Sequence, residues 1–431
     1  MNLSNTDILS KSLQNFKTIH MIGISGIGMA ALAHILHARG HKLSGSTNAL
    51  NKQTVKLQDK QIQIDLHDES NLKNPDLVIL TQEIPSDNVE LLKAKKLGIP
   101  CIYYPQAAGM LSREYKRTIA ISGTHGKSTC TSMLVTTLNK LGFSFDAIIG
   151  TDVPALGNQN YHISQNNSDL FIIEACEYMD AFLNYNPFIT LITNIEWDHF
   201  DFFKSEAQYL QTFQNLLNKS QYNILNTDFA LSQKLTNIHA TYSKQDLIDF
   251  RLNITGDHNR TNARGVELVC QKLGIDKEQF QQGILDFTHS ARRMELVSKT
   301  PTQLIYTDYG HHPTEVEVTL QAIREKHPQS KICIIFQPHQ YNRTIQTLAG
   351  FKSAFDHADK LIIPDIYDAR DSLYDKQQMN VEKLLANISH PDKINGHGLE
   401  NTKANFAELT KDHDVVVVMG AGNVTKIIDY Y

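Results

Sequence analysis

The chain has 431 residues, 41% of them hydrophobic and 20% charged, a globular composition at a length suited to about three domains. A net charge of −5 without any long basic block disfavours nucleic acid as the main partner, and no apolar run is long enough to cross a bilayer. The five cysteines (Cys101, Cys130, Cys176, Cys270 and Cys333) are scattered without a CxxC pair, and no basic stretch followed by an apolar run opens the chain, so a cytoplasmic protein without a signal peptide is expected.

Residues 17–23 (KTIHMIG) are predicted as the first strand. The turn Gly23-Ile24-Ser25-Gly26-Ile27-Gly28 follows, then a helix to about residue 38 and a second strand opening at 41–44. This is a βαβ dinucleotide cradle. A nicotinamide enzyme needs Asp or Glu at the end of that second strand, ~20 residues past the glycines, for the ribose hydroxyls. The chain has Ser44-Gly45-Ser46-Thr47-Asn48 there, which suits a UDP-type pyrophosphate better than NAD. The bland alternative is a Rossmann-like half that holds no ligand. A strand at 76–81, a helix near 89–97 and a strand at 100–103 come next. Residues 112–117 read as a polar linker and set the first domain boundary.

Residues 118–121 are β-branched and apolar, as in a buried parallel strand. Gly123-Thr124-His125-Gly126-Lys127-Ser128-Thr129 and a helix over 130–141 follow. Strand, glycine turn and helix N-terminus make an anion cradle, with Lys127 to neutralise β/γ-phosphates and Ser128 to ligate Mg²⁺. The strict phosphate-loop pattern wants glycine where Ile121 stands. An ordinary βα turn is the plain alternative, and Gly-Lys-Ser-Thr behind a strand speaks against it. A strand at 169–174 ends in Glu174, and one at 190–194 is followed by His199. Ligands of open α/β sheets gather at strand carboxyl ends, so Ser128, Glu174 and His199 are candidates for a partial Mg²⁺ shell.

A helix is predicted from Gly256-Asp257 to about residue 273, placing Asn259 and Asn262 on one face. Two amides could read an adenine edge; an N-cap plus a solvated amide is the simpler alternative. The last segment begins near Ser290. Arg292 and Arg293 could reach a phosphate, or stand as a solvated pair. Strands at 303–307, 331–336, 360–364 and 415–419 form a second doubly wound sheet, each running into polar residues on one rim.

The stretches GISGIGM, SGTHGKST, EACEYMDAFL, TNIEWDH, GDHNRTNA, ARRME, DYGHHPTEV, FQPHQYNRT and GAGNVTKI, in this order over nearly the whole chain, resemble the Mur ligase family. The resemblance implies an α/β protein of three domains: an N-terminal Rossmann-like UDP-sugar domain (1–115), a central P-loop-type ATPase sheet (116–289) and a C-terminal Rossmann-like amino-acid domain (290–431). It implies an ATP-dependent ligase joining L-alanine to the lactyl carboxylate of UDP-N-acetylmuramate through an acyl phosphate, in cytoplasmic peptidoglycan precursor synthesis. The alternative is the related ligase that attaches a recycled tripeptide to the same sugar. Small-molecule substrates, no membrane or nucleic-acid partner, and a monomer or weak homodimer are implied with it.

Residue by residue, the resemblance puts Gly23, Ser25, Gly26, Ile27 and Gly28 at the UDP-sugar. Gly123, Thr124, His125, Gly126, Lys127, Ser128 and Thr129 fall at ATP, with Asn259 and Asn262 at its adenine. Arg292 or Arg293 falls at the γ-phosphate and Asp308 near the nucleotide. Ser128, Glu174 and His199 match the metal positions, and Tyr309, His311 and Arg343 those holding the amino acid. Lys127, His199, His311 and Arg343 are the implied catalytic set. The chain departs from the pattern at Gln340, where many relatives have arginine, at Cys176 and Thr47, where aspartate is usual, and in the short stretch 226–256, where strands of the central domain are expected to be missing.

Overall fold

Aliphatic runs alternate with helices along the chain, and the computed structural model, which describes residues 5–246 and 251–428, gathers the strands into three sheets. The first holds β1 (Thr18–Ile22), β2 (Lys42–Thr47), β3 (Gln63–Leu66), β4 (Leu77–Leu80) and β5 (Cys101–Tyr103) in the order β3-β2-β1-β4-β5, all parallel. The order reverses beside β1, so the glycine turn after β1 opens at the switch point where such sheets bind ligands.

The second sheet holds β6 (Arg117–Ser122), β7 (Asp146–Val153), β8 (Gln159–His162), β9 (Leu170–Glu174), β10 (Ile189–Ile192), β11 (Tyr222–Asn226) and β12 (Ala240–Tyr242). Their order is β12-β11-β10-β6-β9-β7-β8, with only β8 antiparallel. Central β6 pairs β10 through Ile119↔Ile189 and β9 through Ile121↔Glu174, which sets the turn after β6 between the ends of both neighbours. The third sheet holds β13 (Glu295–Lys299), β14 (Leu304–Asp308), β15 (Ile332–Phe336), β16 (Lys360–Ile363), β17 (Lys393–Asn395) and β18 (Val415–Met419), in the order β13-β14-β18-β15-β16-β17. Only β13 is antiparallel, and β18, VVVVM, is wholly buried as a central parallel strand should be.

The chain forms two compact units, one of Met1–Ile195, Leu210–Tyr242 and Gly265–Asp286, the other of Glu196–Tyr209, Ser243–Arg264 and Phe287–Tyr431. Within the first unit the helix Lys52–Gln58 reaches the second sheet: Lys52 and Lys56 pair with Asp152 of β7 at 2.8 and 3.1 Å. His34 stacks on Tyr161 of β8 at 4.2 Å between ring centroids.

The strands expected from sequence are present, several to within a residue. The helix behind the phosphate turn runs Lys127–Lys140, three residues earlier than expected, so Lys127, Ser128 and Thr129 are its first turn. A helix at Tyr104–Ser112, opened by Pro105, precedes the linker and shortens it to 113–116. Stretch 226–256 carries β12, and its residues 247–250 lie outside the described part. Among the described residues no helix is long and apolar enough to cross a membrane.

Candidate active site

The phosphate turn is built by two glycines and held by its neighbour strand. Gly123 (φ 132°) and Gly126 (φ 79°) take left-handed backbone that side chains rarely adopt, and a Cβ on Gly123 would lie 2.2 Å from Thr193 Oγ1. Just past β10, Asn194 acts as a strand in miniature: its Oδ1 accepts from His125 N–H and its Nδ2 donates to His125 carbonyl, both at 2.9 Å. Thr193 Oγ1 donates to the same carbonyl. Gly126 caps the helix Lys127–Lys140 without any side-chain bond, so its first-turn N–H groups stay available to an anion.

Lys127 Nζ folds back over the turn, donating to the Gly123 carbonyl and, at 3.0 Å, to that of Thr124. It also pairs with the fully buried Glu177 at 3.0 Å. Burial pushes the ammonium down, but Glu177 outweighs this and holds it above the usual lysine range. On the other side of the turn Ser128 Oγ donates to Glu174 Oε1 at 2.8 Å, and Gly150 N–H donates to Glu174 Oε2 at 2.8 Å. A hydroxyl and a carboxylate are hard oxygen donors of the kind Mg²⁺ takes, so this pair fits the expected ion. His199 belongs to the second unit.

The first glycine turn is tied differently. Gly23 and Ile24 N–H groups both donate to Ser46 carbonyl at the end of β2. Ser25 Oγ meets Thr47 Oγ1 at 2.6 Å, so threonine at the position where aspartate is usual buttresses the turn. Gly26 caps the helix Ile27–Ala38, again without a side-chain bond. Asn160 of β8 donates to Ile27 carbonyl at 2.8 Å, and a Cβ on Gly28 would lie 2.7 Å from Tyr104 Cζ. The turn is therefore an anion cradle with backbone donors and no cation of its own.

The second unit gathers most of the remaining candidates. Asn259 and Asn262 are buried on the helix Asp257–Lys272, and Asn259 Nδ2 donates to Thr255 carbonyl at 2.7 Å. Arg292 and Arg293 both lie over the Tyr309 ring, at 4.9 and 5.2 Å, and Arg293 pairs with Glu315 at 3.3 Å. Asp308, the last residue of β14, is buried and accepts from Met294 and Gly310 N–H groups at 2.8 and 2.7 Å. Burial pushes its carboxyl up despite Arg293 and these two donors.

His311 N–H donates to Glu315 at 3.0 Å, while burial and Arg343 push the His311 imidazole down to about 3. Arg343 grips buried Asp198 through Nε at 2.7 Å and Nη2 at 3.3 Å, and its Nη1 meets His339 Nδ1 at 3.1 Å. Asp198, pushed up by burial, is nonetheless held well below the carboxylate range by Arg343. Nη1 also donates to the His339 carbonyl at 3.4 Å, so Arg343 is engaged chiefly as a buried ion-pair partner of Asp198. Gln340, buried at φ 72°, donates through Nε2 to Ala369 carbonyl at 2.8 Å.

Four residues that sequence reasoning passed over carry much of this geometry: Glu177, Asn194, Gly150 and Asp198. Asn194 lies just past β10, beside the phosphate turn, and that position is the available signal. Glu177 sits in EACEYMDAFL but points at a lysine 50 residues earlier. The partners of Gly150 and Asp198 lie too far along the chain for any spacing rule.

The family model described as Mur ligase family, catalytic domain, matches residues 18–116. The Mur ligase middle domain matches 121–272, and the Mur ligase, glutamate ligase domain, matches 292–422. A UDP-N-acetylmuramate–L-alanine ligase of Caldicellulosiruptor saccharolyticus is 34% identical, over 95% of this chain and 97% of its own. The ligase of the same name from Caldanaerobacter subterraneus is 32% identical over 96% and 97%. The solved UDP-N-acetylmuramate-alanine ligase of Thermotoga maritima superposes with a TM-score of 0.80 at 25% identity, covering 96% of this chain and 97% of that one. A murein peptide ligase of Psychrobacter arcticus shares the fold, with a TM-score of 0.70 at 19% identity over 95% and 97%. Matched domain after domain from β1 to the turn beyond β18, the chain belongs to the Mur ligase family.

Proposed function

We propose that this chain is an ATP-dependent ligase that joins L-alanine to the lactyl carboxylate of UDP-N-acetylmuramate, in cytoplasmic peptidoglycan precursor synthesis. The observation that carries the reading is the turn after β6, where Lys127 and the Ser128–Glu174 pair flank a helix N-terminus open to phosphate. Whole-length similarity to the L-alanine ligases supports it over the tripeptide alternative. Segments 1–115, 116–289 and 290–431 are assigned to UDP-sugar, ATP and amino acid.

The chemistry follows from the poor electrophilicity of a carboxylate. A lactyl carboxylate oxygen attacks the γ-phosphorus of ATP, and ADP leaves. The amine then attacks the acyl carbon, and phosphate leaves as the amide forms and the amine loses its proton. Transfer to a carboxylate needs positioning and positive charge more than covalent help. Lys127 supplies one charge at the β/γ-phosphates, once released from Glu177. Mg²⁺, when bound at Ser128 and Glu174, would neutralise the same oxygens. His199 is proposed for that shell, and His199→Ala should raise the Mg²⁺ requirement in a metal titration.

In the second unit, Asn259 and Asn262 are proposed for adenine, Arg292 or Arg293 for the γ-phosphate, and Asp308 for a place near the nucleotide. Tyr309, His311 and Arg343 are proposed for the amino-acid site. The deciding experiment is a phosphate-release assay with MgATP, UDP-N-acetylmuramate and either L-alanine or the tripeptide. Turnover with L-alanine is expected; turnover with the tripeptide alone would establish the other ligase.

A further inference from the structure

Gly150 has no conformational reason to be glycine. Its backbone lies outside the left-handed region, and it sits exposed on β7 among residues that any side chain could follow. What a side chain would meet there is one group. A Cβ would fall 2.4 Å from Glu174 Oε1 and 2.6 Å from both Cδ and Oε2. All three atoms belong to the end of a flexible side chain, so a Cβ would displace the carboxylate and leave the strand in place.

The Gly150 N–H is free to do this work because the ladder has ended. β7 pairs β9 only from Asp146↔Phe171 to Ile148↔Ile173, and its pairing with β8 breaks between Ile148 and Val153. The N–H turns to Glu174 Oε2 at 2.8 Å, opposite the Ser128 hydroxyl on Oε1. With one donor on each oxygen, the carboxylate is fixed in rotation. Each oxygen keeps a lone pair, and the Ser128 hydroxyl keeps both of its own, so cation-binding capacity remains. We infer that Gly150 is a positioning residue for the Glu174 carboxylate, donating the second hydrogen bond and leaving out the side chain that would evict it. The inference rests on the reading of Glu174 as a cation ligand.

The test uses the full chain with Mn²⁺ as probe and a non-hydrolysable ATP analogue, bound metal being read by electron paramagnetic resonance. Gly150→Ala should weaken Mn²⁺ binding by about 10- to 100-fold, the range for groups that orient metal ligands. Metal-free nucleotide affinity and the thermal midpoint should stay at the parent values. Glu174→Gln is the control. If it weakens Mn²⁺ binding and Gly150→Ala does not, the positioning role is overturned while the ligand reading stands. If Glu174→Gln leaves Mn²⁺ binding unchanged, the ligand reading fails and takes the inference with it. Should Gly150→Ala lower the thermal midpoint, adding Glu174→Asp, whose shorter side chain withdraws the carboxylate, must restore it; no recovery means that the clash lies elsewhere and overturns the inference.

Discussion

The turns at 23–28 and 123–129 share one backbone idea and divide its uses. Each follows a buried parallel strand, each contains a glycine (Gly26, Gly126) that caps a helix without a side-chain bond, and each therefore offers bare N–H groups to an anion. Around the first, polar side chains brace the turn: Ser25 meets Thr47, Asn51 donates to Ser25 carbonyl and Asn160 to Ile27 carbonyl. Around the second, side chains also carry charge toward the cradle, through Lys127, Glu177 and Glu174. A backbone cradle suffices to hold a diphosphate that stays whole. Breaking a phosphoanhydride needs charges placed where they can be drawn upon.

The largest difference should appear when that charge is removed. Lys127→Met combined with Glu177→Gln should lower phosphate release on the order of 10³-fold or more while UDP-sugar binding, read by calorimetry, is retained. The double change matters because Lys127→Ala alone leaves a buried carboxylate unpaired, which costs about 3–5 kcal/mol of stability. Retained turnover in the double variant would erase the distinction between the turns.

Behind the first turn lies a different kind of charge. Glu90 is fully buried, accepting from Ser46 Oγ, from Asn71 Nδ2 at 2.7 Å and from Asp68 N–H at 3.2 Å, with His20 Nε2 at 3.6 Å. Burial alone would push its carboxyl up; these partners, His20 first, outweigh burial and hold it at about 2. A carboxyl depressed in the folded state stabilises fully above its unfolded pKa, and that contribution is lost as pH falls through about 4 toward 2. The contribution is on the order of 3 kcal/mol, and Glu90→Gln should flatten the urea midpoint against pH across that window. An equally steep acid loss in the variant would show that the network is idle.

Smaller effects separate the braces. Asn194→Ala removes both bonds to the His125 backbone and should cost about 1–3 kcal/mol in urea unfolding, with a raised KM for ATP. Gly28→Ala presses on the Tyr104 ring and should raise KM for the UDP-sugar about tenfold, near the lower end of overpacking costs, while KM for ATP holds. Thr47→Val deletes the hydroxyl facing Ser25 and should cost about 1 kcal/mol, seen only in stability and UDP-sugar affinity. If ATP binding follows either of the last two, the turns are not separable.

What the sequence disclosed tracks how local the cause is. Val415–Met419 and Val89–Leu97 are where the pattern puts them, the helix because Asn88 caps its start and Gly98 takes left-handed backbone at its end. Ser128 and Glu174 were legible because both end strand-based motifs, and they do meet. The helix Tyr104–Ser112 is hard to read from sequence because it follows β5 without a Ser, Thr, Asp or Asn at its start, Tyr103 standing at its N-cap. The β7–β8 hairpin is hard to read from sequence because Gly150, Pro154 and Gly157 break its alternation. The Arg343–Asp198 pair is not legible, because nothing in FQPHQYNRT points to a carboxylate 145 residues earlier.

One feature of the chain's path bears on its birth at the ribosome. The first unit closes only with Gly265–Asp286, in which the helix Lys277–Ile284 sets Gly283 against Thr137 of the helix behind the phosphate turn. By then two excursions, Glu196–Tyr209 and Ser243–Arg264, have already emerged that belong to the other unit. Vectorial synthesis therefore cannot finish one unit before starting the next: for the time it takes to translate the gap, the nascent first unit waits without the helix that packs on Thr137.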